Sequence, residues 1–272
     1  MSRAYYNEIE PYAVQWLRNL IAAGHIAPGD VDERSIEDVS PDDLRGYTQC
    51  HFFAGIGVWS YALRLAGWPD DRPVWTGSFP CQPFSAAGKG GGFDDARHLW
   101  PAFHHLISQR RPPVVFGEQV ATALGWLDVA AADLEAEDYA VGAVSLPAYV
   151  VGAPHERERI FFVADPCGER CHGRQARSEG YVVDRAQAGW DESADRPDAS
   201  GALAPWRNGE WRAGGDGRDR LCEPGTFPLA HGATSRVGRL RAYGNAIVPQ
   251  VAAEVIEAYM RTHAEAVMAE MT

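Results

Sequence analysis

The sequence predicts an α/β fold with a mostly parallel sheet. Two observations carry that prediction. Apolar runs of strand length alternate with segments of helical period, the pattern of successive β-α-β units. The chain also has 272 residues, 46% of them hydrophobic, enough for one large core or one domain plus a small insert.

Taken in order, Tyr5 to Ile9 reads as a short strand. Tyr12 to Ala23 is an amphipathic helix, with Tyr12, Trp16, Leu20 and Ala23 on one face and Gly24 ending it. Ser35 to Val39 reads as a second short strand, and Gln49 to Phe53 as a third that runs into Ala54-Gly55-Ile56-Gly57. A helix from Trp59 to Ala66 is closed by Gly67, and Pro73 to Thr76 forms a fourth strand. Pro101 to Gln109 and Leu127 to Glu137 read as helices on either side of a strand, Val114 to Phe116, that ends at Gly117-Glu118-Gln119. Tyr139 to Ser145 and Ile160 to Ala164 are strands flanking Gly152-Ala153-Pro154-His155. From Cys167 to Gly225 no period is sustained, which predicts a small irregular domain. Val248 to Met268 is the terminal helix.

Composition narrows the class. No apolar run reaches about 18 residues, and MSRAYYNEIE has no hydrophobic signal core, so a soluble intracellular chain is expected. Five cysteines without regular spacing argue against a disulfide framework. Net charge is -12, yet Asp165 to Arg241 holds 12 Arg and 12 Asp or Glu, so the acidic excess lies outside that window. Lys89 is the only lysine; the planar forks of Arg suit phosphate and guanine, and equally fit GC-rich coding.

The chemistry gathers around Gly77-Ser78-Phe79-Pro80-Cys81-Gln82-Pro83-Phe84-Ser85. Pro80 and Pro83 bar continuation as ladder or helix, so the chain leaves the fourth strand as a stiff loop. A structural cysteine usually packs as a small hydrophobe. Cys81 instead stands among backbone-fixing residues, beside polar Gln82 and Ser85, as a thiol presented to a substrate. Phe53-Ala54-Gly55-Ile56-Gly57 occupies a strand-to-helix junction where glycines let backbone approach a cofactor; read alone it is a tight turn. Glu8 ends the first strand, the place of an acid that takes ribose hydroxyls, or of a solvated loop charge. Glu118 is a carboxylic acid at an apolar strand end, with a raised pKa, able to protonate a ring nitrogen. Arg157 and Arg159 lie two apart in a strand-like segment and so share one face, as a fork for a base carbonyl or phosphate, or as a salt-bridged edge.

Together FAGIG (53–57), GSFPCQPFS (77–85), GEQV (117–120), GAPHERERIF (152–161) and RLRAYGNAIVPQV (239–251) resemble the blocks of the DNA (cytosine-5)-methyltransferase family of restriction–modification systems and phages. The resemblance covers most of the chain outside 165–235. YYNEIEPYA resembles the family's ribose-binding segment, and SIEDV its adenine-binding strand end. Both precede FAGIG here, whereas in most members they follow it. The resemblance therefore implies a circularly permuted, Rossmann-like S-adenosylmethionine-dependent methyltransferase sheet, a tolerable rearrangement when domain termini are close together.

It also implies roles. Cys81 attacks C6 of a cytosine extruded from duplex DNA, Glu118 protonates N3, and Arg157 and Arg159 hold the base, with Arg159 on O2. Gln82 and Ser85 belong to the substrate loop. Phe53, Ala54, Gly55, Ile56 and Gly57 surround the methionine part of S-adenosyl-L-methionine, Glu8 takes the ribose, Ile9 packs on the adenine and Asp38 binds its amino group. Asn245 braces the Cys81 loop, with Ala246 and Ile247 near the cofactor. Val58, Gln119 and His155 depart from the family pattern, which usually has glycine, asparagine and glutamine there.

Cys167, Cys171, His172 and Cys222 lack zinc-site spacing, and no metal is expected. The implied organisation is a catalytic and cofactor-binding domain at 1–164, a target-recognition domain at 165–235 and a returning segment at 236–272. The implied protein is a cytoplasmic monomer, in a bacterial or phage-infected cell, that acts on double-stranded DNA and no membrane. RNA cytosine-5 methylation, a folate-dependent pyrimidine enzyme and a catalytically silent DNA-binding protein of the same fold stay open.

Overall fold

The structure is a computed structural model that describes residues 3–80, 99–153, 155–166, 210–213, 219–222 and 244–270. Seven strands form one sheet: β1 (Ala4–Asn7), β2 (Gly29–Asp32), β3 (Gln49–Phe52), β4 (Val74–Ser78), β5 (Val115–Val120), β6 (Tyr139–Leu146) and β7 (Arg159–Pro166). Their order is β2-β1-β3-β4-β5-β7-β6, parallel except for β7, which runs against both β5 and β6. The helices are α1 (Pro11–Ala22), α2 (Val58–Leu65), α3 (Trp100–Arg110), α4 (Leu124–Ala136) and α5 (Pro249–Glu270). A two-stranded antiparallel ribbon, β8 (Glu210–Ala213) with β9 (Asp219–Cys222), lies within the stretch expected to be irregular.

Strand register explains the layering. Tyr5, Cys50, Trp75 and Val115 lie side by side across β1, β3, β4 and β5, and belong to the cluster that includes α3 and α4. The next row, Tyr6, His51, Thr76 and Phe116, points the other way, where Phe116 packs in the cluster with α2 and α5. With both faces covered, the central strands are buried throughout, as parallel strands usually are. The Tyr6 hydroxyl bonds the Ala27 carbonyl at 2.7 Å and lies 2.9 Å from Ser60 Oγ, tying β1 to α2. Phe79, just beyond β4, packs on Phe53, Trp100, Phe103, Trp126 and Phe162 with ring centroids 4.7 to 6.4 Å away. That cage anchors the start of the segment leading to Cys81.

Several expectations are corrected. Ser35 to Val39 is not a strand: Ile36–Asp38 is a 3-10 turn capped by the Ser35 side chain. The second strand lies earlier, at Gly29–Asp32, where Val31 is the only apolar residue with a side chain to bury and no alternation can be read. It forms because β1 offers a parallel partner, and Gly29 lets the two backbones close, since a Cβ there would fall 1.9 Å from the Ala4 carbonyl oxygen. Gly117-Glu118-Gln119 lies inside β5, not after it. The first strand stops at Asn7, leaving Glu8 and Ile9 beyond its end. Among the described residues no helix is long and apolar enough to cross a membrane.

Candidate active site

The carboxyl ends of β1, β3, β4 and β5 open onto a cavity of about 360 Å³. This is the crevice where open α/β sheets bind ligands, and its size is in the usual range for small-molecule sites.

On one side the chain turns sharply between β3 and α2. Phe53, Gly55 and Gly57 have φ of 51°, 54° and 79°. A phenylalanine in this left-handed region costs about 1–2 kcal/mol, offset here by its ring packing 5.3 Å from Phe79. Phe53, Ala54, Gly55 and Ile56 line the cavity. Gly57 does not; a Cβ there would fall 3.1 Å from both Leu17 and Ile26, so this glycine lets the turn sit on α1. Val58, first residue of α2, does reach the cavity.

Glu8 faces that turn. The Gly55 N–H donates to Glu8 Oε2 at 2.7 Å and the Glu10 N–H to Oε1 at 2.9 Å, and the Ile9 N–H adds a third backbone donor to the carboxyl. Burial pushes the Glu8 carboxyl above its ordinary range against the pull of those N–H groups. Ile9 stands at the rim, 66% exposed. Asp38 is exposed and does not line the cavity. Arg34, Ser35 and Ile36 line it instead, held by an Asn7 Nδ2 bond to the Arg34 carbonyl at 2.9 Å and by the Arg34–Asp32 pair at 2.6 Å. Sequence reasoning missed this trio because the strand that delivers it, β2, has no apolar signature.

Glu118 closes the opposite side and is 6% exposed. It is the register partner of Ser78 on β4, which hydrogen-bonds its carboxyl, and Arg159 Nε lies 2.9 Å from Glu118 Oε1. Burial pushes Glu118 up to about 7; Arg159, Arg157 and the hydrogen bonds pull it down without cancelling that rise. A carboxyl balanced near neutrality can both give and take a proton.

Both arginines act on Glu118, and Arg157 also reaches the segment that carries Ala246. Arg157 precedes β7 and has φ 33°, so the two-residue repeat of an extended strand does not reach it. Arg159 goes to Glu118, whereas Arg157 Nη2 donates to the Ala246 carbonyl at 2.6 Å. That bond holds the segment whose Asn245, Ala246 and Ile247 line the cavity. Gln119 is buried; its Oε1 accepts the Val120 N–H at 2.9 Å, and its Nε2 has no hydrogen-bond partner among the described residues. His155 is exposed. Cys81, Gln82 and Ser85 lie outside the described residues, as do Cys167, Cys171 and His172. Among the described residues no His, Cys, Asp and Glu group could hold a metal ion.

A doubly wound sheet with a glycine turn after one strand, an acid after its neighbour and a buried carboxyl on a third defines the Rossmann-like class of nucleotide-cofactor proteins. Comparison with known proteins then narrows the class. Residues 68–169 match the profile of the C-5 cytosine-specific DNA methylases. The type II methyltransferase M.AluI of Cellulosimicrobium cellulans is 32% identical over 142 residues, 47% of this chain and 27% of that protein. M.HhaI of Haemophilus parahaemolyticus is 33% identical over 99 residues, covering 34% and 30%. M.PspPI of Psychrobacter sp. (strain TA137) is 25% identical over 224 residues, covering 64% and 54%. Over these stretches the chain is similar to C-5 cytosine-specific DNA methylases, and it spans under a third of the length of the first two relatives. The solved S. pombe Dnmt2 methyltransferase aligns at 15% identity and TM-score 0.38, over 67% of this chain and 58% of that one, too distant to carry an argument.

Proposed function

We propose that the protein methylates cytosine C5 in a short sequence of double-stranded DNA, using S-adenosyl-L-methionine. The observation that carries this reading is Glu118: a buried carboxyl, pushed up to about 7, at the mouth of a cavity shared with the glycine turn. In the proposed reaction the Cys81 thiolate forms a bond to C6 of a cytosine extruded from the duplex. Glu118 transfers its proton to N3, and the displaced electron pair makes C5 nucleophilic. Arg159, beside Glu118, holds the O2 carbonyl and stabilises the carboxylate left behind. After methylation a base removes the C5 proton and the Cys81–C6 bond breaks, restoring the ring. Extruding the base costs a few kcal/mol, met by contacts in the site.

Bound S-adenosyl-L-methionine supplies an electrophilic methyl group. The residues fit it: Glu8 is a cavity-lining carboxyl able to accept from a ribose hydroxyl, exposed Ile9 offers an apolar plate for adenine, and a Cβ at Gly55 would meet nothing within 4 Å. Ile36 and Ser35, rather than Asp38, sit where the adenine edge would lie. Strand order supports the permuted arrangement: β1 and β2, which lead to Glu8 and to Arg34–Ile36, precede the glycine-turn strand β3 in the chain and lie beside it in the sheet. On this reading 1–164 and 236–272 form the catalytic unit, 165–235 recognises the target, and the enzyme acts as a cytoplasmic monomer.

The test is bisulfite sequencing of mixed-sequence duplex DNA after incubation with protein and S-adenosyl-L-methionine, beside Cys81→Ser. Protection confined to one short motif and absent from the control is expected. No protection from folded, cofactor-binding protein would overturn the proposal.

A further inference from the structure

Trp59 and Ser78 line the cavity beside Glu118 and have no part in the reaction just described. Trp59 Nε1 donates to Ser78 Oγ at 2.9 Å, and Ser78 is the register partner of Glu118 on the adjacent strand β4, where its hydroxyl favours the charged carboxyl. An indole N–H can only donate. It therefore fills an acceptor site on Ser78 and leaves the single serine hydroxyl proton for the carboxyl.

The indole is itself fixed. Trp59 is 3% exposed, stacked on Phe116 and edge-on to Phe161, with both centroids 6.1 Å away. Phe116 lies two residues before Glu118 on β5, and Phe161 is the register partner of Glu118 on β7. The strands that hold the carboxyl thus also hold the tryptophan that aims its donor. Trp59 belongs to α2, whose first turn carries Val58 into the cavity, so the chain of bonds runs from the cofactor-side helix to the acid.

We propose that Ser78, aimed by Trp59, is a positioning residue: it fixes the orientation of the Glu118 carboxyl and stabilises its charged form once the proton has left. The other groups facing Glu118 are Arg159 on β7 and Arg157 just before it. Arg159 provides a charge, whereas the Trp59–Ser78 pair provides a directed neutral donor. The role rests on reading Glu118 as the proton donor, but the arrangement can be tested without turnover.

The experiment titrates the full chain carrying ¹³C-carboxyl glutamate, without DNA or cofactor, with the Glu118 signal identified by its loss in Glu118→Gln. Ser78→Ala is expected to raise the proton affinity of Glu118 about tenfold, the worth of one hydrogen bond to a charged group. Ser78→Thr, which keeps the hydroxyl, should restore the wild-type midpoint, and Trp59→Phe should move it the same way as Ser78→Ala but less. In turnover, the high-pH limb of kcat should shift upward with the midpoint while KM for DNA stays unchanged. A change under about twofold in Ser78→Ala, or Thr behaving like Ala, would overturn the proposal. Absence of DNA methylation with the midpoint shift intact would overturn the methyltransferase reading and leave the positioning role standing.

Discussion

Replacing Glu118 by glutamine tests whether burial or the Arg159 ion pair governs the acid. The carboxyl loses its proton at about 7 in the fold, against an ordinary value of 4.5. Each pH unit of difference corresponds to about 1.36 kcal/mol, so the whole gap is worth on the order of 3 kcal/mol. Between those values the folded protein holds more protons at this site than the unfolded chain, so its contribution to stability falls as pH rises. Most of that total is lost between about pH 5 and pH 8. Glutamine keeps the shape and can still accept from Arg159 and Ser78, but does not titrate. Urea unfolding of both proteins, followed by circular dichroism from pH 5 to pH 8, cancels the titrations they share. The stability of Glu118→Gln minus wild type should climb by roughly 2–3 kcal/mol over that range. A difference flat within about 0.5 kcal/mol would refute the raised pKa. A difference that falls with pH would show that the charge of Arg159, and not burial, sets the protonation of Glu118.

Three further outcomes are expected. Gly117→Ala would drive a Cβ to 2.0 Å from the Phe162 ring and should cost about 1–3 kcal/mol or more in urea unfolding, with part recovered by adding Phe162→Leu. Glu8→Gln should weaken S-adenosyl-L-methionine binding by about 1.4 kcal/mol, or tenfold, by calorimetry. Because the Glu8 pKa is raised, wild-type affinity should also fall as pH drops into that raised range, whereas the variant stays flat. Arg157→Ala frees the Ala246 carbonyl and should lower kcat at least tenfold while changing stability by only about 1 kcal/mol, since the bond is one partly buried contact that positions a cavity wall.

Legibility in the sequence followed burial pattern. β3, β4, β6 and β7 were readable because apolar or β-branched runs mark strands covered by helices. Gly29–Asp32 was not, because an edge strand with one large apolar side chain is defined by its partner. Its loss displaced the adenine-side assignment onto Asp38, which the 3-10 turn leaves exposed, when Arg34 to Ile36 line the cavity. The bond from Arg157 to Ala246 was not readable for a local reason: Arg157 stands before β7 with positive φ, so strand alternation does not set its direction. Ser78 lay in full view within the cysteine-bearing stretch, yet nothing in its neighbours pointed to Trp59, 19 positions earlier.

The sequence by itself determined the fold class, the glycine turn, the acid at the end of the first strand and the carboxyl at Glu118. Each depends on residue type and on local order along the chain, which are written in the sequence. Only the tertiary structure decided that Glu118 sits near neutrality, that Arg157 also ties down the Ala246 segment and that an indole bonds the serine beside it. Those properties arise from low-dielectric surroundings and hydrogen-bond directions built by α2, β4, β5 and β7 together, and a protonation equilibrium answers to that enclosure rather than to the residue that titrates.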